Sequence, residues 1–359
     1  MIKYLGSKRT LIPAIIAAVR RAGAFNSVCD LFSGTSRVGH AFKKAGYRVL
    51  ANDHNAYAEV LARCYVQADA EDVAIDAARL VAEFNTLPGE PGYFTATFCE
   101  RARYIQPKNG GRVDAIRAAI ARKGLPPELE AVMLVSLMEA ADRVDSTTGL
   151  QMAYLKTWAP RSHGDLELRV PDLLPRPPNG RCAASGLDAL EAAATLEADV
   201  AYIDPPYNQH SYLGNYHVWE TLVRGDQPEV YGVACKRTDV RTRQSVFNSR
   251  PKFAGALRAV LVAVRARLLV VSFNDEGYLS RAEMESMLGE LWGGRAAVRT
   301  IEVDYKRYVG AQIGIYNPQG EKVGKAGRLR NTEYLYVASP SDQTQVAERT
   351  PAATPTTGP

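Results

Sequence analysis

The chain is poor in the residues and runs that mark metal-dependent, disulfide-built or membrane classes. Its five cysteines, Cys29, Cys64, Cys99, Cys182 and Cys235, are odd in number, lie far apart and form no CxxC pair. That excludes a disulfide framework, a zinc knuckle and a thioredoxin-like motif, and predicts reduced, mostly structural thiols. The five histidines, His40, His54, His163, His210 and His217, include no HExxH and no pair four residues apart, so metal-free chemistry is expected. The longest apolar stretches, 11–19 (broken by Pro13) and 259–264, fall short of the ~18 residues that a bilayer requires. No membrane association is expected. Met1 leads directly to Lys3, Lys8 and Arg9 without an apolar segment, which predicts a cytoplasmic protein without a secretory signal. No internal repeat is present.

What the sequence does contain is a normal apolar complement. Hydrophobic residues make up 46% and charged residues 23% of 359 positions, as in ordinary globular proteins. At about 150 residues per domain, this leaves room for one large domain with an insertion or for two domains. Short β-rich runs at 27–32 (SVCDLF), 48–53 (RVLAND), 199–204 (DVAYID) and 267–274 (RLLVVSFN) each end in a polar turn and read as buried parallel strands. Helical patterns at 38–45, 56–65 and 253–264 fall between them. Strand-helix alternation implies an α/β, doubly wound sheet. Runs 297–308 and 333–339, rich in Val, Ile and Tyr, predict an antiparallel hairpin at the sheet edge. Between 66 and 181 the strand rhythm stops and Ala-rich helical patterns take over at 69–84, 113–122 and 127–142, up to the Pro-rich 171–178. This predicts an inserted, mostly helical domain. Residues 340–359, rich in Thr, Pro and Gln, read as a disordered tail.

Net charge is a mild +5, but it is unevenly spread. Arg101, Arg103, Lys108, Arg112, Arg117, Arg122 and Lys123 face only Asp114 within their stretch, and Lys236, Arg237, Arg241, Arg243, Arg250 and Lys252 face only Asp239. Two basic islands so far apart are either opposite walls of a polyanion-binding cleft or two solvated surfaces.

Two segments carry chemistry. The first is DLFSGTSRVG at 30–39, a Gly-containing turn after the first strand, with Asp53 ending the next strand. In doubly wound sheets such a turn lets backbone approach a ligand, and the acid accepts hydrogen bonds from ribose hydroxyls. A dinucleotide fingerprint would have glycine where Ser36 stands. A nucleoside without pyrophosphate, such as S-adenosylmethionine, therefore suits the turn better than a nicotinamide dinucleotide, the competing cofactor. The second is Asp204, Pro205, Pro206 and Tyr207, directly after the apolar 200–203. Two prolines fix φ and remove two N–H donors. The chain then stops sharply with Asp204 and the Pro205 carbonyl able to accept both hydrogens of an exocyclic amine, and with the Tyr207 ring able to stack on the base. The plain alternative is a strand terminator followed by a packing tyrosine.

With both segments in this order the chain resembles the Dam-like (alpha-arrangement) DNA adenine-N6 methyltransferases, up to about Ala338. Tyr4, Gly6 and Lys8 match the family's first cofactor motif. Asp30, Phe32 and Gly34 match its FxGxG turn, Asp53 the ribose-binding acid, and Asp188, in the strand before DPPY, the acid near the cofactor's adenine. Asp204 to Tyr207 match the catalytic motif, and Asp204 also borders the cofactor. The resemblance implies a Rossmann-like methyltransferase sheet made of 1–65 and 182–339, with 66–181 as the DNA target recognition domain. It implies S-adenosyl-L-methionine as cofactor and double-stranded DNA as partner, with Arg101, Arg103, Lys108, Arg112, Arg117, Lys123, Lys236, Arg237, Arg241 and Arg243 as DNA-contact candidates. A prokaryotic or phage-encoded monomer with a cognate restriction enzyme is the matching biology. Segments 208–220 and 305–324 resemble parts of a subset of these enzymes. Tyr212, Tyr216 and His217 would form a lid over the flipped base or pack the loop. Lys306, Arg307 and Tyr308 would either touch phosphate or form a solvated edge. The competing activities are methylation of N4-cytosine or of an RNA amine, and a catalytically inactive DNA-binding relative.

Overall fold

The computed structural model describes residues 1–209, 211–306 and 330–341. In chain order the elements are α1 (Ile12–Ala22), β1 (Ser27–Asp30), α2 (Arg37–Lys44), β2 (Arg48–Asn52), α3 (Ala56–Ala62), α4 (Ala70–Asn85), α5 (Pro107–Lys123) and α6 (Pro127–Arg143). They continue with β3 (Ala183–Ser185), α7 (Ala189–Thr195), β4 (Val200–Ile203), α8 (Tyr212–Asn215), α9 (His217–Arg224), β5 (Val230–Tyr231), β6 (Lys236–Arg237), α10 (Arg250–Ala263), β7 (Leu268–Asn274), α11 (Arg281–Gly289), β8 (Ala296–Lys306) and β9 (Arg330–Pro340). Among the described residues no helix is long and apolar enough to cross a membrane. His210, the side chains of Tyr305 and Lys306, residues 307–329 with Arg307 and Tyr308, and the tail beyond 341 lie outside what is described.

Seven strands form one sheet in the order β3-β2-β1-β4-β7-β9-β8. The first five run parallel, and β9 pairs antiparallel with both β7 and β8. Each predicted parallel strand is present within one or two residues, and the antiparallel edge pair is present with β9 starting three residues before the expected 333. All four residues of β4 are buried, because helices cover both faces of a parallel sheet. On one face Leu11, Ile15 and Val19 of the α1 region and Val38 and Phe42 of α2 pack on Val28, Val49, Val200 and Val270. On the other, Ala192 and Ala193 of α7, Phe253 and Leu257 of α10, and Met284 and Leu288 of α11 pack on Cys29, Ala201, Leu269 and Val271. The stretch 11–19, read in sequence only for its length, opens α1. Its Pro13 sits in the first turn, where a missing N–H costs nothing.

Helices α4, α5 and α6 occupy the predicted insert and share their core with the rest of the chain. Phe84, Ile116, Val132 and Met138 belong to one cluster with Tyr57 and Leu61 of α3 and with Trp219 and Leu222 of α9. Helix α5 begins six residues before the expected 113, at Pro107, and runs through Asn109, Gly110 and Gly111. A Cβ on Gly110 would lie 2.5 Å from the Cys99 sulfur. Close packing there overrides the poor helix propensity of glycine, which is why periodicity alone missed the first turns.

The chain enters and leaves the insert at one point. Lys43, with a side chain of 0% exposure, donates to the carbonyls of Val66 (2.9 Å) and Ala68 (2.7 Å) and to Oδ1 of Asp69 (2.9 Å). Arg176, on the returning segment, donates to the other Asp69 oxygen at 2.7 Å and to Asp72 at 2.7 Å. Breaking a buried pair by removing one partner costs about 3 kcal/mol or more. Lys43→Met should accordingly lower the unfolding free energy by about 3 kcal/mol in urea titration, while the exposed Lys44→Met should change it by less than about 0.5 kcal/mol.

Candidate active-site cleft

The carboxyl ends of β1, β2 and β4 open into one cleft enclosing ≈ 1030 Å³, part of it open to solvent. Its walls include Tyr4, Gly6, Lys8, Asp30, Phe32, Gly34, Asp53, Asp188, Asp204 and Pro206. Every cofactor candidate named from the sequence therefore borders a single space, together with two of the four DPPY residues. Asp188 differs in one respect. It lies not in a strand but after β3, as the N-cap of α7, where its side chain accepts from the Leu190 N–H at 2.9 Å.

Backbone geometry shapes the first wall. Gly34 has φ +50° and Ser36 φ +59°, left-handed values that favour glycine and strain a side chain. A Cβ on Gly34 would lie 3.3 Å from the Tyr4 hydroxyl. The Gly34 N–H donates to Asp53 Oδ2 at 3.0 Å, and the Asn55 N–H donates to Asp53 Oδ1 at 3.0 Å. The acid at the end of β2 is thus held against the turn after β1. Asp30 Oδ2 accepts from the Gly39 N–H at 3.1 Å, whereas its buried Oδ1 has no protein partner. Burial, reinforced by Asp204, pushes the Asp30 carboxyl up to about 8, against the pull of the Gly39 hydrogen bond. Burial also raises Asp53.

The second wall is the tip of β4. Asp204 Oδ1 lies 3.2 Å from the Lys8 ammonium. Burial pushes the Asp204 carboxyl up to about 6, Lys8 pulls it down, and Glu333 raises it again. Lys8 also pairs with Glu333 of β9. Burial favours the neutral amine, yet Asp204, Tyr207 and Glu333 together keep Lys8 raised well above the usual lysine range. Tyr207 is set by β7: Asn274 Nδ2 donates to its hydroxyl at 3.2 Å, and Phe273 meets its ring edge-on at 5.1 Å between centroids. The Lys8 ammonium lies 5.6 Å from the same ring centre.

The segment after DPPY divides between the two roles open to it. Tyr212 borders the cleft and stacks on Tyr4 at 5.3 Å. Tyr216 is buried, stacks on the same ring at 4.6 Å and accepts from the Leu5 N–H at 2.6 Å. His217 is buried as well, with Nε2 2.9 Å from the Gln151 carbonyl. Gln151 also accepts the Val218 N–H at 3.0 Å through its side chain, so a loop of the insert caps α9. Tyr216 and His217 pack; they do not cover the cleft.

Part of each basic island turns inward, and of the ten DNA-contact candidates Arg243 alone borders the cleft. Arg237 is 2% exposed and locked to Asp226 and Asp239 at 2.7–3.0 Å. Arg117 donates to the carbonyls of Leu222 and Val223, and Arg112 to those of Leu87 and Asn85. Those three side chains close the structure and do not offer charge to a polyanion. Arg243 pairs with buried Glu220 (3.0 Å) and Asp239 (3.3 Å). Lys108 pairs with Asp165, Lys123 with Glu83, and Arg103 reaches the Lys156 carbonyl. Lys236 is half-buried on β6. Arg101 and Arg241 are exposed, the latter lying over the Tyr231 ring. Sequence reading missed Glu333, Ser272, Phe247 and Asn248. The first two lie inside stretches read only as strand, and the others on a loop without a motif.

A family model described as "D12 class N6 adenine-specific DNA methyltransferase" matches residues 4–287. The Type II methyltransferase M.FokI of Planomicrobium okeanokoites is 30% identical over 327 residues, 85% of this chain and 49% of the relative. Modification methylase StsI of Streptococcus sanguinis is 28% identical over 322 residues, 85% and 48% of the two chains. Type II methyltransferase M.NlaIII of Neisseria lactamica is 27% identical over 317 residues, 85% and 92%. The chain thus spans about half the length of the first two and nearly all of the third.

The burial of His217 generates a test. Burial, aided by Lys236 and Arg237, lowers its imidazole to about 3 although the Gln151 carbonyl opposes this. An unfolded histidine titrates near 6.5. Between those values the unfolded chain binds the extra proton, so this contribution to stability is intact above pH ~6.5 and is lost as pH falls, at up to about 1.4 kcal/mol per unit. The His217→Gln variant should show a stability slope between pH 7 and 5 that is shallower by about that amount in denaturant unfolding.

Proposed function

We propose, from the premise that the chain belongs to the D12 class N6 adenine-specific DNA methyltransferase family, that it moves a methyl group from S-adenosylmethionine to the N6 amine of an adenine flipped out of double-stranded DNA. The observation that carries this reading is the cleft in which Asp204 shares one space with Asp30, Gly34 and Asp53. Relatives named as type II methyltransferases and a modification methylase support site-specific methylation beside a cognate restriction enzyme. A monomer in a prokaryotic or phage-infected cytoplasm is the matching setting.

The cleft fits the cofactor on its own terms. The unpartnered Asp30 Oδ1 offers a buried acceptor to an ammonium, and Asp53 offers lone pairs to a ribose diol. Phe32, Asp188, Tyr4, Gly6 and Lys8 line the same space, and the Phe32 ring and the Asp188 carboxylate are the groups that would suit an adenine. When bound, S-adenosylmethionine supplies an electrophilic methyl group on a sulfonium sulfur.

The chain's own residues do the rest by positioning. Asp204 and the Pro205 carbonyl accept the two N6 hydrogens, which turns the nitrogen lone pair out of the purine ring and toward the methyl carbon. The N–C bond forms as the S–C bond breaks, the sulfur keeps the bonding electrons, and the surplus N6 proton leaves to water. Tyr207 stacks on the extruded base, which offsets part of an unpairing cost of a few kcal/mol. Pro205 and Pro206 keep the acceptors rigid. Residues 66–181 act as the target recognition domain. Arg101, Arg103, Lys108, Lys123, Lys236, Arg241 and Arg243 remain the phosphate-contact candidates, Arg101 and Arg241 being the most available.

Asp204→Ala is expected to abolish transfer, with binding to a duplex weakened less than about tenfold. Nucleoside analysis of the product reads this directly: wild type should yield N6-methyladenine, and N4-methylcytosine would reverse the choice of base. For the backbone grip, the double change Arg101→Ala and Arg241→Ala should flatten the log Kd against log salt slope by ~0.9 for each phosphate that is no longer neutralised. An unchanged slope would remove both residues from the interface.

A further inference from the structure

We infer that Glu333 is a positioning residue for methyl transfer: it tethers the Lys8 ammonium and draws it from Asp204, so that the carboxylate beside that ammonium keeps its acceptor strength for the target amine. This rests on the reading of Asp204 given above. The two partners are 325 residues apart in the chain, and they meet because β9 lies two strands from β4 with β7 between them. Glu333 is 4% exposed. Its Oε1 pairs with Lys8 and also accepts from Ser272 Oγ of β7 at 2.9 Å. Asp204 Oδ1 lies 3.2 Å from the same ammonium.

Two carboxylates therefore share one buried ammonium, and the cluster carries a net negative charge. The strand does not require this. On either side of Glu333 in the sheet stand Asn274 and Val303, and the following Leu335 and Tyr336 are buried, so an uncharged side chain would suit the pairing. A buried charge without full compensation is costly and calls for another reason. With Lys8 as the sole partner of Asp204, the ammonium would saturate the carboxylate and compete with the incoming amine. With Glu333 present, the ammonium is shared between two carboxylates, and it meets Asp204 through Oδ1 at 3.2 Å. Lys8 supplies enough positive potential to keep a desolvated carboxylate charged, and Glu333 limits how far its acceptor strength falls. The titratable groups around this pair are Asp30 on β1, Asp53 just after β2, Tyr202 on β4, and Tyr207 and Tyr212 beyond it. Lys8 is the cation among them. Arg243 at the rim is engaged with Glu220 and Asp239.

The test is kcat against pH with saturating DNA and S-adenosylmethionine, for wild type, Glu333→Gln and Glu333→Asp, alongside Tm and cofactor Kd. Wild-type activity should fall as pH drops through about 6, the value to which Asp204 is raised. In Glu333→Gln that acid limb should move down by about one pH unit, with plateau kcat reduced ~tenfold and KM within about twofold. Glu333→Asp, which keeps the charge, should hold the limb within about 0.3 unit. A limb that stays in place in the Gln variant, or that moves equally in the Asp variant, overturns the inference, as does a loss confined to KM. Should the Gln variant not fold, Ser272→Ala loosens the Glu333 oxygen without removing charge. It should then lower plateau kcat severalfold with the limb in place, and an unchanged kcat overturns the inference. If wild type forms no N6-methyladenine, the functional reading and this inference fall together. If it forms the product while the limb stays fixed, only the role of Glu333 falls.

Discussion

A carboxylate kept at the desolvated tip of a parallel strand is the constraint around which this molecule is arranged. Ionised Asp204 is uphill at that position, because burial alone favours the protonated form. The compensation comes from Lys8, which arrives from the turn before α1 and is itself paired with Glu333, on a strand that runs antiparallel to its neighbour. The edge hairpin is therefore more than a cap on the sheet. Its inner strand delivers the group that balances the lysine, while β7 delivers Ser272 to that group and Asn274 to the hydroxyl of Tyr207.

The same logic explains where the cleft lies. In an open α/β sheet the connections from adjacent central strands diverge to opposite faces, and the gap at their carboxyl ends takes the ligand. Here β1 and β4 are those neighbours. Asp30 ends the first and Asp204 follows the second, so two buried acids sit close enough for Asp204 to raise Asp30. Like charges at such a spot repel unless cations or polar hydrogens separate them. The Lys8 ammonium fills that need on one side, and an unfilled Asp30 oxygen remains on the other.

The sheet was legible because its strands are short apolar runs stopped by polar turns, as in VAYI before DPPY. The wall of the cleft was legible because its residues cluster in local motifs. Glu333 was not, since its meaning comes from a lysine at the opposite end of the chain, and no local pattern encodes that meeting. Three arginines of the basic islands turned out to be structural for a related reason. Composition counts charges without their partners, and Arg237 meets Asp226 and Asp239 only once β6 is folded. Arg117 caps the end of α9 by donating to carbonyls that the sequence cannot assign to it. The first turns of α5 were hidden because Gly110 and Gly111 look like a breaker until Cys99 packs against the first and the backbone of Gly89 to Pro91 against the second.

The knot formed by Lys43, Asp69 and Arg176 has a topological consequence. It ties the outgoing and returning segments together at the rim of the sheet, so the hundred-odd residues between them behave, as far as β2 and β3 are concerned, like a closed loop of negligible span. Chain-closure entropy grows only slowly with loop length, and here closure is settled at the knot. Replacing the stretch between the two tied segments would leave the strand order undisturbed, and would be felt instead along α3 and α9, where it shares a core with the rest of the chain. Variation in that stretch is thereby uncoupled from the register of the sheet beneath it.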